Sequence, residues 1–128
     1  MANSLVIAID FDGTCVEHDY PYIGMDAEGA VDVLRELVAK GHRLILFTMR
    51  SGEKLEAAER WFRDRKIELW AVNENPEQRS WTASPKVYAD YYIDDSALGC
   101  PIMFIDGVRH PVVNWSKVRT MLEYNRVL

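Results

Sequence analysis

The sequence predicts an α/β fold on a mainly parallel sheet, and three observations carry that expectation. Short apolar or β-branched runs alternate with longer segments of helical period, the order that builds βαβ units. The first run, Leu5–Asp10, is apolar up to its last residue, as a strand buried on both faces requires. A chain of 128 residues, 48% apolar and 27% charged, suits one domain with one core and leaves no room for a second. The same composition excludes a disordered or collagen-like chain.

Each element follows from local pattern. Strand one runs directly into Phe11-Asp12-Gly13-Thr14, and a loop over Cys15–Met25 comes next. From Ala27, apolar Ala30, Val31, Val33, Leu34, Leu37 and Val38 recur at three- and four-residue steps, which predicts a helix capped by Asp26 and ended by Gly41 in the left-handed region. Arg43–Thr48 is the second strand. Ser51 is placed to cap a second helix over Glu53–Arg65, whose Leu55, Ala58, Trp61 and Phe62 share one face. Leu69–Val72 reads as an edge strand, after which Asn73-Glu74-Asn75-Pro76 opens a polar stretch to Ser84. Pro85 suits the first turn of a short helix through Ala89, and Tyr91-Tyr92-Ile93 is a fourth strand delivering Asp94-Asp95. Ile102–Ile105 is a fifth strand, Asp106-Gly107 a hairpin signal leading to Val112-Val113, and Asn114 caps a last helix over Trp115–Tyr124.

Charge and cysteine content narrow the partners. A net charge of −5 provides no counterion-release term for nonspecific nucleic-acid binding, which argues against a nucleic-acid scaffold. The two cysteines, Cys15 and Cys100, fall short of a secreted disulfide framework and read as reduced thiols. The N-terminal apolar run lacks a basic leader and is stopped by Asp10, too short for a signal sequence or a span of about twenty residues, so a cytoplasmic chain with no membrane anchor is expected.

In a parallel α/β sheet the carboxyl ends of the strands form one rim, and ligands bind there. Strand one ends in Asp10-Phe11-Asp12, strand two in Thr48 and strand four in Asp94-Asp95, with Lys86 just before strand four. Four clustered carboxylates repel strongly and call for a divalent cation; an all-oxygen ligand set points to Mg²⁺ rather than zinc. Mg²⁺ in turn calls for phosphate. A hydroxyl and an ammonium can cradle phosphoryl oxygens, one carboxylate can attack phosphorus, and a second two residues on can protonate the leaving oxygen. These residue types therefore predict an aspartyl-phosphate site.

The order Asp10-Phe11-Asp12-Gly13-Thr14, Thr48, Lys86, Asp94-Asp95 resembles the haloacid dehalogenase (HAD) superfamily over roughly residues 5–99. That resemblance implies a three-layer Rossmann-like domain around a five-stranded sheet of order 5-4-1-2-3. It implies Asp10 as nucleophile, Asp12 as general acid/base, Thr48 and Lys86 as phosphoryl holders, and Asp10, Asp12 through its carbonyl, Asp94 and Asp95 as the Mg²⁺ site. An acid at position 12 points to phosphatase or phosphotransferase chemistry within the family.

The gaps Cys15–Met25 and Asn73–Ser84 are too short for the inserted cap domains of members that act on small metabolites, so the chain resembles a capless member whose site is closed by a large substrate, by loops or by a second copy in a homo-oligomer. Arg50, in Thr48-Met49-Arg50-Ser51, resembles variants acting on phosphorylated nucleic-acid ends, and it joins Tyr20, Tyr22 and Trp81 of the two loops as a candidate substrate contact. His18, His42 and His110 lack metal-ligand spacing and are read as surface or packing residues.

The expected activity is Mg²⁺-dependent hydrolysis of a phosphomonoester whose identity the sequence leaves open. A signalling receiver module is the main alternative, but it would place its acid at the end of strand three, where Ala71-Val72-Asn73 stands. A non-catalytic HAD-like binding protein would not need every catalytic position intact. A glycosyltransferase would need a larger acceptor domain.

Overall fold

The computed structural model describes residues 4–128. Four short strands, β1 (Val6–Ile9), β2 (Arg43–Leu46), β3 (Ala71–Val72) and β4 (Tyr91–Ile93), pair in the parallel order β3-β2-β1-β4. The fold is α/β, with β3 at an edge as expected. The fifth strand departs from expectation: β5 (Ile102–Met103) leaves the main sheet and pairs antiparallel with β6 (Val112–Val113). The predicted 5-4-1-2-3 sheet is therefore corrected to four parallel strands and a separate hairpin. Ile102 and Met103 are only half covered, so β5 lacks the two-sided burial that holds a strand in a parallel sheet.

Alternation along β1 and β2 sorts the core into two faces. Ile7, Ile9, Leu44 and Leu46 pack in one large cluster with Leu34 and Leu37 of α1 (Ala30–Ala39), Trp61 and Phe62 of α2 (Gly52–Asp64), and Trp115 and Leu122 of α3 (Trp115–Tyr124). Val6, Ala8 and Ile45 point the other way and meet only Val87 and Ala89, with Trp70 and Ala71 beside them. The expectation of helices on both faces is thus not met among the described residues. Right-handed crossovers place α1 and α2 on one side, and the return from β3 to β4 must pass the other. Here that return contains only the short 3₁₀ turn Gln78–Ser80.

The predicted Pro85–Ala89 helix is absent for an identifiable reason: side chains claim its backbone. Gln78 Nε2 donates to the carbonyls of Ser84 and Lys86, its Oε1 accepts from Tyr88 N, and the Tyr92 hydroxyl joins Val87 O and Ala89 N. Asp26, expected to cap α1, instead accepts from Trp61 Nε1 at 2.9 Å and from Arg65 at 2.8 and 2.9 Å. The helix starts later, after Gly29 in the left-handed region at φ 85°. Gly41 ends it as predicted, at φ 91°. Ser51 stands at the α2 N-terminus without a side-chain cap bond, whereas Asn114 accepts from Lys117 N and caps α3.

His42 closes the N- and C-terminal ends together. It is buried, with Nδ1 accepting from Leu5 N at 3.1 Å and Nε2 facing Val127 O at 2.8 Å. This bears out its reading as a packing residue. Replacing it by Leu leaves one buried donor and one buried acceptor unpaired, at about 1–3 kcal/mol each. His42→Leu should lower the urea midpoint accordingly without changing the slope, and an unchanged midpoint would show that water replaces both partners.

Candidate active site

Parallel register brings the acids together. Ile9 pairs with Ile93 and Asp10 N donates to Ile93 O at 3.0 Å, so the residues following β1 and β4, Asp10 and Asp94, emerge side by side. Asp10, Asp94 and Asp95 each offer a carboxylate oxygen, and these atoms lie within 4.8 Å of one another. They open into a cleft of about 890 Å³ whose wall also includes Asp12, Thr48, Arg50 and Tyr20. Six of the sequence-predicted site residues other than Tyr20 thus share one cleft: Asp10, Asp12, Thr48, Arg50, Asp94 and Asp95.

The turn after β1 shapes this cluster. Thr14, fully buried, donates its hydroxyl to Asp10 Oδ2 at 2.8 Å and receives Asp95 N at 3.2 Å, binding β1 to β4 through one side chain. Gly13, at φ 83°, lies so close to Asp95 and His18 that a Cβ there would meet Asp95 Oδ2 at 2.5 Å and His18 Cδ2 at 2.7 Å. From below, Val113 N donates to Gly13 O and Trp115 Nε1 to Thr14 O, at 3.0 and 2.7 Å. The hairpin and α3 thereby hold the turn. Cys15 Sγ donates to Asp10 O, and burial first, then the nearby acids, pushes its thiol well above the usual range. It is an inert packing thiol.

Electrostatics of the triad favour a cation. Burial, then sharing with Asp95, outweigh the Thr14 bond and push the Asp10 carboxyl up to about 8. Asp94 is also shifted up, by burial and by Asp95, although Ser96 N bonds to it. A divalent cation with oxygen ligands fits a donor set that cannot otherwise ionise together. The Asp12 carboxylate is outside this set, so the expected cluster of four carboxylates is corrected to three, and the carbonyl role that the resemblance implies is unaffected.

Arg50 takes that carboxylate. Its Nε and one terminal nitrogen bond both Asp12 oxygens at 2.8 and 2.7 Å, and the remaining donors reach the carbonyls of Pro21, Tyr22 and Lys54. A guanidinium has five N–H donors, so none is left for a substrate. Arg50 is buried and positions Asp12; the expectation of a substrate contact is corrected. Thr48 lines the cleft, accepting from Arg50 N at 3.2 Å while its own N donates to Asn73 Oδ1.

Three further expectations are placed outside the cleft. Lys86 is exposed and does not line it, since Gln78 and Ser84 fix its backbone along the sheet face that carries no helix. Tyr22 is exposed and meets the site only through its carbonyl on Arg50. Trp81 stacks edge-on against Tyr88, also away from the wall. In their place stand His18 and His110, which the sequence reading set aside, with His18 Nε2 3.6 Å from Asp95 Oδ2, and Arg109, which it did not single out. The only sequence signal for Arg109 and His110 was the hairpin turn at Asp106-Gly107, and His18 had none.

Fold and site together define an α/β protein with an acidic cleft at the carboxyl ends of a parallel sheet. Comparison with family models and with curated proteins gives no match. Among solved structures the chain is similar to a conserved protein from Bacteroides thetaiotaomicron, with 38% sequence identity, a TM-score of 0.78, and 96% of this chain and 93% of that one covered. The chain belongs to the same family as that protein. None of the described helices is long and apolar enough to cross a membrane.

The Asp10 shift sets a pH dependence. Unfolded, Asp10 ionises near 3.8; folded and metal-free, it holds its proton to about 8. The unfolded state therefore binds fewer protons in between, and stability, complete below the lower value, declines as pH rises toward the upper one. Asp94 adds in the same sense, while Asp26 and Glu36, both shifted down, act oppositely at lower pH. In EDTA the melting temperature should fall across this window, and millimolar Mg²⁺ should restore it most at the alkaline end. A metal-free melting temperature that climbs through the window would remove the buried, proton-holding triad.

Proposed function

We propose that this chain is a Mg²⁺-dependent phosphomonoester hydrolase that works through an aspartyl-phosphate on Asp10. One observation carries the reading: a half-buried strand-end carboxylate, within 4.8 Å of two others, opens into a cleft with Thr48 and Asp12 on its wall. The ordered motifs that resemble the HAD superfamily and a parallel sheet of Rossmann-like order support the same reading. A receiver-type alternative is disfavoured at β3, where Asn73 follows the strand and spends its side chain on Thr48 N.

Asp10, Asp94 and Asp95 would hold the cation, with the Asp12 carbonyl completing the set that the resemblance implies. When bound, Mg²⁺ neutralises the cluster and the phosphoryl oxygens. An Asp10 oxygen attacks phosphorus, the P–O bond to the leaving group breaks, and Asp12 supplies the proton the leaving oxygen needs. Water then attacks the aspartyl-phosphate, giving its proton to Asp12 and releasing phosphate while Asp10 is regenerated. Arg50 occupies only part of the Asp12 lone-pair capacity, so the carboxylate is aimed yet can still take a proton. The Thr48 hydroxyl donates to no partner among the described residues, and because Thr48 lines the cleft its proton would be free for a phosphoryl oxygen.

The decisive experiment is phosphate release from phenyl phosphate with Mg²⁺, with EDTA, and with Asp10→Asn. Wild type with Mg²⁺ should turn over while the other two fall to background, because the amide is a poor nucleophile and a weaker ligand. Full activity of Asp10→Asn would eliminate the covalent route. Separately, Asp12→Ala should cost about 10²–10⁴-fold in kcat with KM little changed; a pure KM effect would assign Asp12 to binding instead.

A further inference from the structure

The β5–β6 hairpin does more than support the turn below Asp10. Its turn is closed by Val108 N on Ile105 O, with Gly107 at φ 80°, and the residues that follow, Arg109 and His110, line the cleft. The His110 ring lies against the His18 ring, centroids 4.9 Å apart, and His18 in turn sits 3.6 Å from Asp95. A contiguous line therefore runs outward from the carboxylate triad through His18 and His110 to Arg109. This gives the cleft a direction: phosphoryl chemistry at the triad, and the rest of the substrate along the hairpin.

Charge decides what the outer end accepts. Five aspartates line the cleft against two arginines. Arg50 is consumed by Asp12 and the loop carbonyls, and Lys86 does not line the cleft. Arg109 is exposed, and among the described residues it makes no hydrogen bond or ion pair. It is thus a planar fork of donors presented to a ligand in a wall otherwise hostile to anions, the group best suited to a carboxylate or a phosphate. An ester whose leaving group is neutral would leave it idle.

We propose that Arg109, assisted by His110, binds a second anionic group on the leaving side of the substrate, so that the preferred substrates are phosphomonoesters bearing a carboxylate or a second phosphate. This rests on the phosphatase reading for where the reacting phosphoryl lies. The hairpin then does for this capless chain what a lid does elsewhere: it reads the leaving group.

The test compares phenyl phosphate with 4-carboxyphenyl phosphate and 1,4-phenylene bisphosphate. Wild type should favour the charged esters in kcat/KM, and Arg109→Ala should reduce that preference roughly ten- to a hundredfold, the size of one charge-assisted bidentate contact. Arg109→Lys should retain part of it, keeping charge but losing the fork. The two charged esters separate a carboxylate site from a phosphate site. The same preference, read as a ratio of Kd values by calorimetry on the Asp10→Asn background, does not depend on turnover. If wild type cleaves no ester but the Kd ratio still depends on Arg109, the anion site stands and the hydrolase reading falls. If esters are cleaved but both ratios ignore Arg109→Ala, or all three substrates suffer equally, the anion site is refuted.

Discussion

Parallel pairing of β1 with β4 forces a charge problem that the rest of the molecule is arranged around. With Ile9 opposite Ile93, Asp10 and Asp94 must leave the sheet side by side, and Asp95 follows within 4.8 Å of both. At an effective dielectric near 20, two full charges at such a distance repel by on the order of 3–4 kcal/mol. Hydrogen bonds alone do not remove that cost: Thr14 has one proton to give and gives it to Asp10, whose carboxyl still rises to about 8. The sheet register thus builds a cluster of acids that cannot all ionise together without a cation. Gly13 makes it tighter still, since only the absence of a Cβ lets Asp95 and His18 close over the turn.

Asp12 is the exception that explains Arg50. Two residues beyond Asp10 it would add a fourth negative charge, but the Arg50 guanidinium draws it aside and holds both its oxygens. The same guanidinium joins Pro21 and Tyr22 of the loop after β1 to Lys54 in the first turn of α2. It stacks near Phe11 and Tyr20 as well, at 5.1 and 5.2 Å from their ring centres. One buried cation therefore fixes the acid/base candidate and the loop that borders the cleft. Such a pair is expensive to break from one side, because the remaining charge is stranded. The loop and the position of Asp12 are consequently not independent.

What could be read from sequence divides along the range of the deciding interaction. β1 and β2 were legible because two-sided burial demands continuous apolar runs, β4 because aromatic and β-branched residues favour a strand, and α3 because Asn114 caps it locally. Asp10, Asp12, Thr48, Asp94 and Asp95 were legible because strand ends of a parallel sheet share a rim. The failures are long-range. Asp26 was claimed by Arg65 and Trp61 rather than by its own helix, and Pro85–Ala89 by Gln78 and Tyr92. Lys86 stood at the expected distance before β4, yet its segment is non-helical and is pinned by Gln78 and Ser84, so the spacing left the side chain exposed rather than in the cleft. His18, Arg109 and His110 carry no period or motif at all; only the folded loop after β1 and the folded hairpin put them on the wall.

The hairpin follows from the same economy of length that leaves one sheet face without a helix. A fifth strand in the main sheet would have continued beyond β4 and carried residues 102–113 away from the acids. Instead Asp94 accepts from Ser96 N and Ala97 N bonds Asp94 O, turning the chain at once, and β6 anchors on Gly13 through Val113. The turn that exposes the Asp10 carboxylate is thereby gripped by the element that carries Arg109. Moving the hairpin would move both. On the proposed phosphatase reading, a chain without room for an inserted cap would gain by attaching the leaving-group wall to the Asp10 turn, since selectivity and chemistry would then share one rigid support, where a separate lid would have to open and close around the substrate.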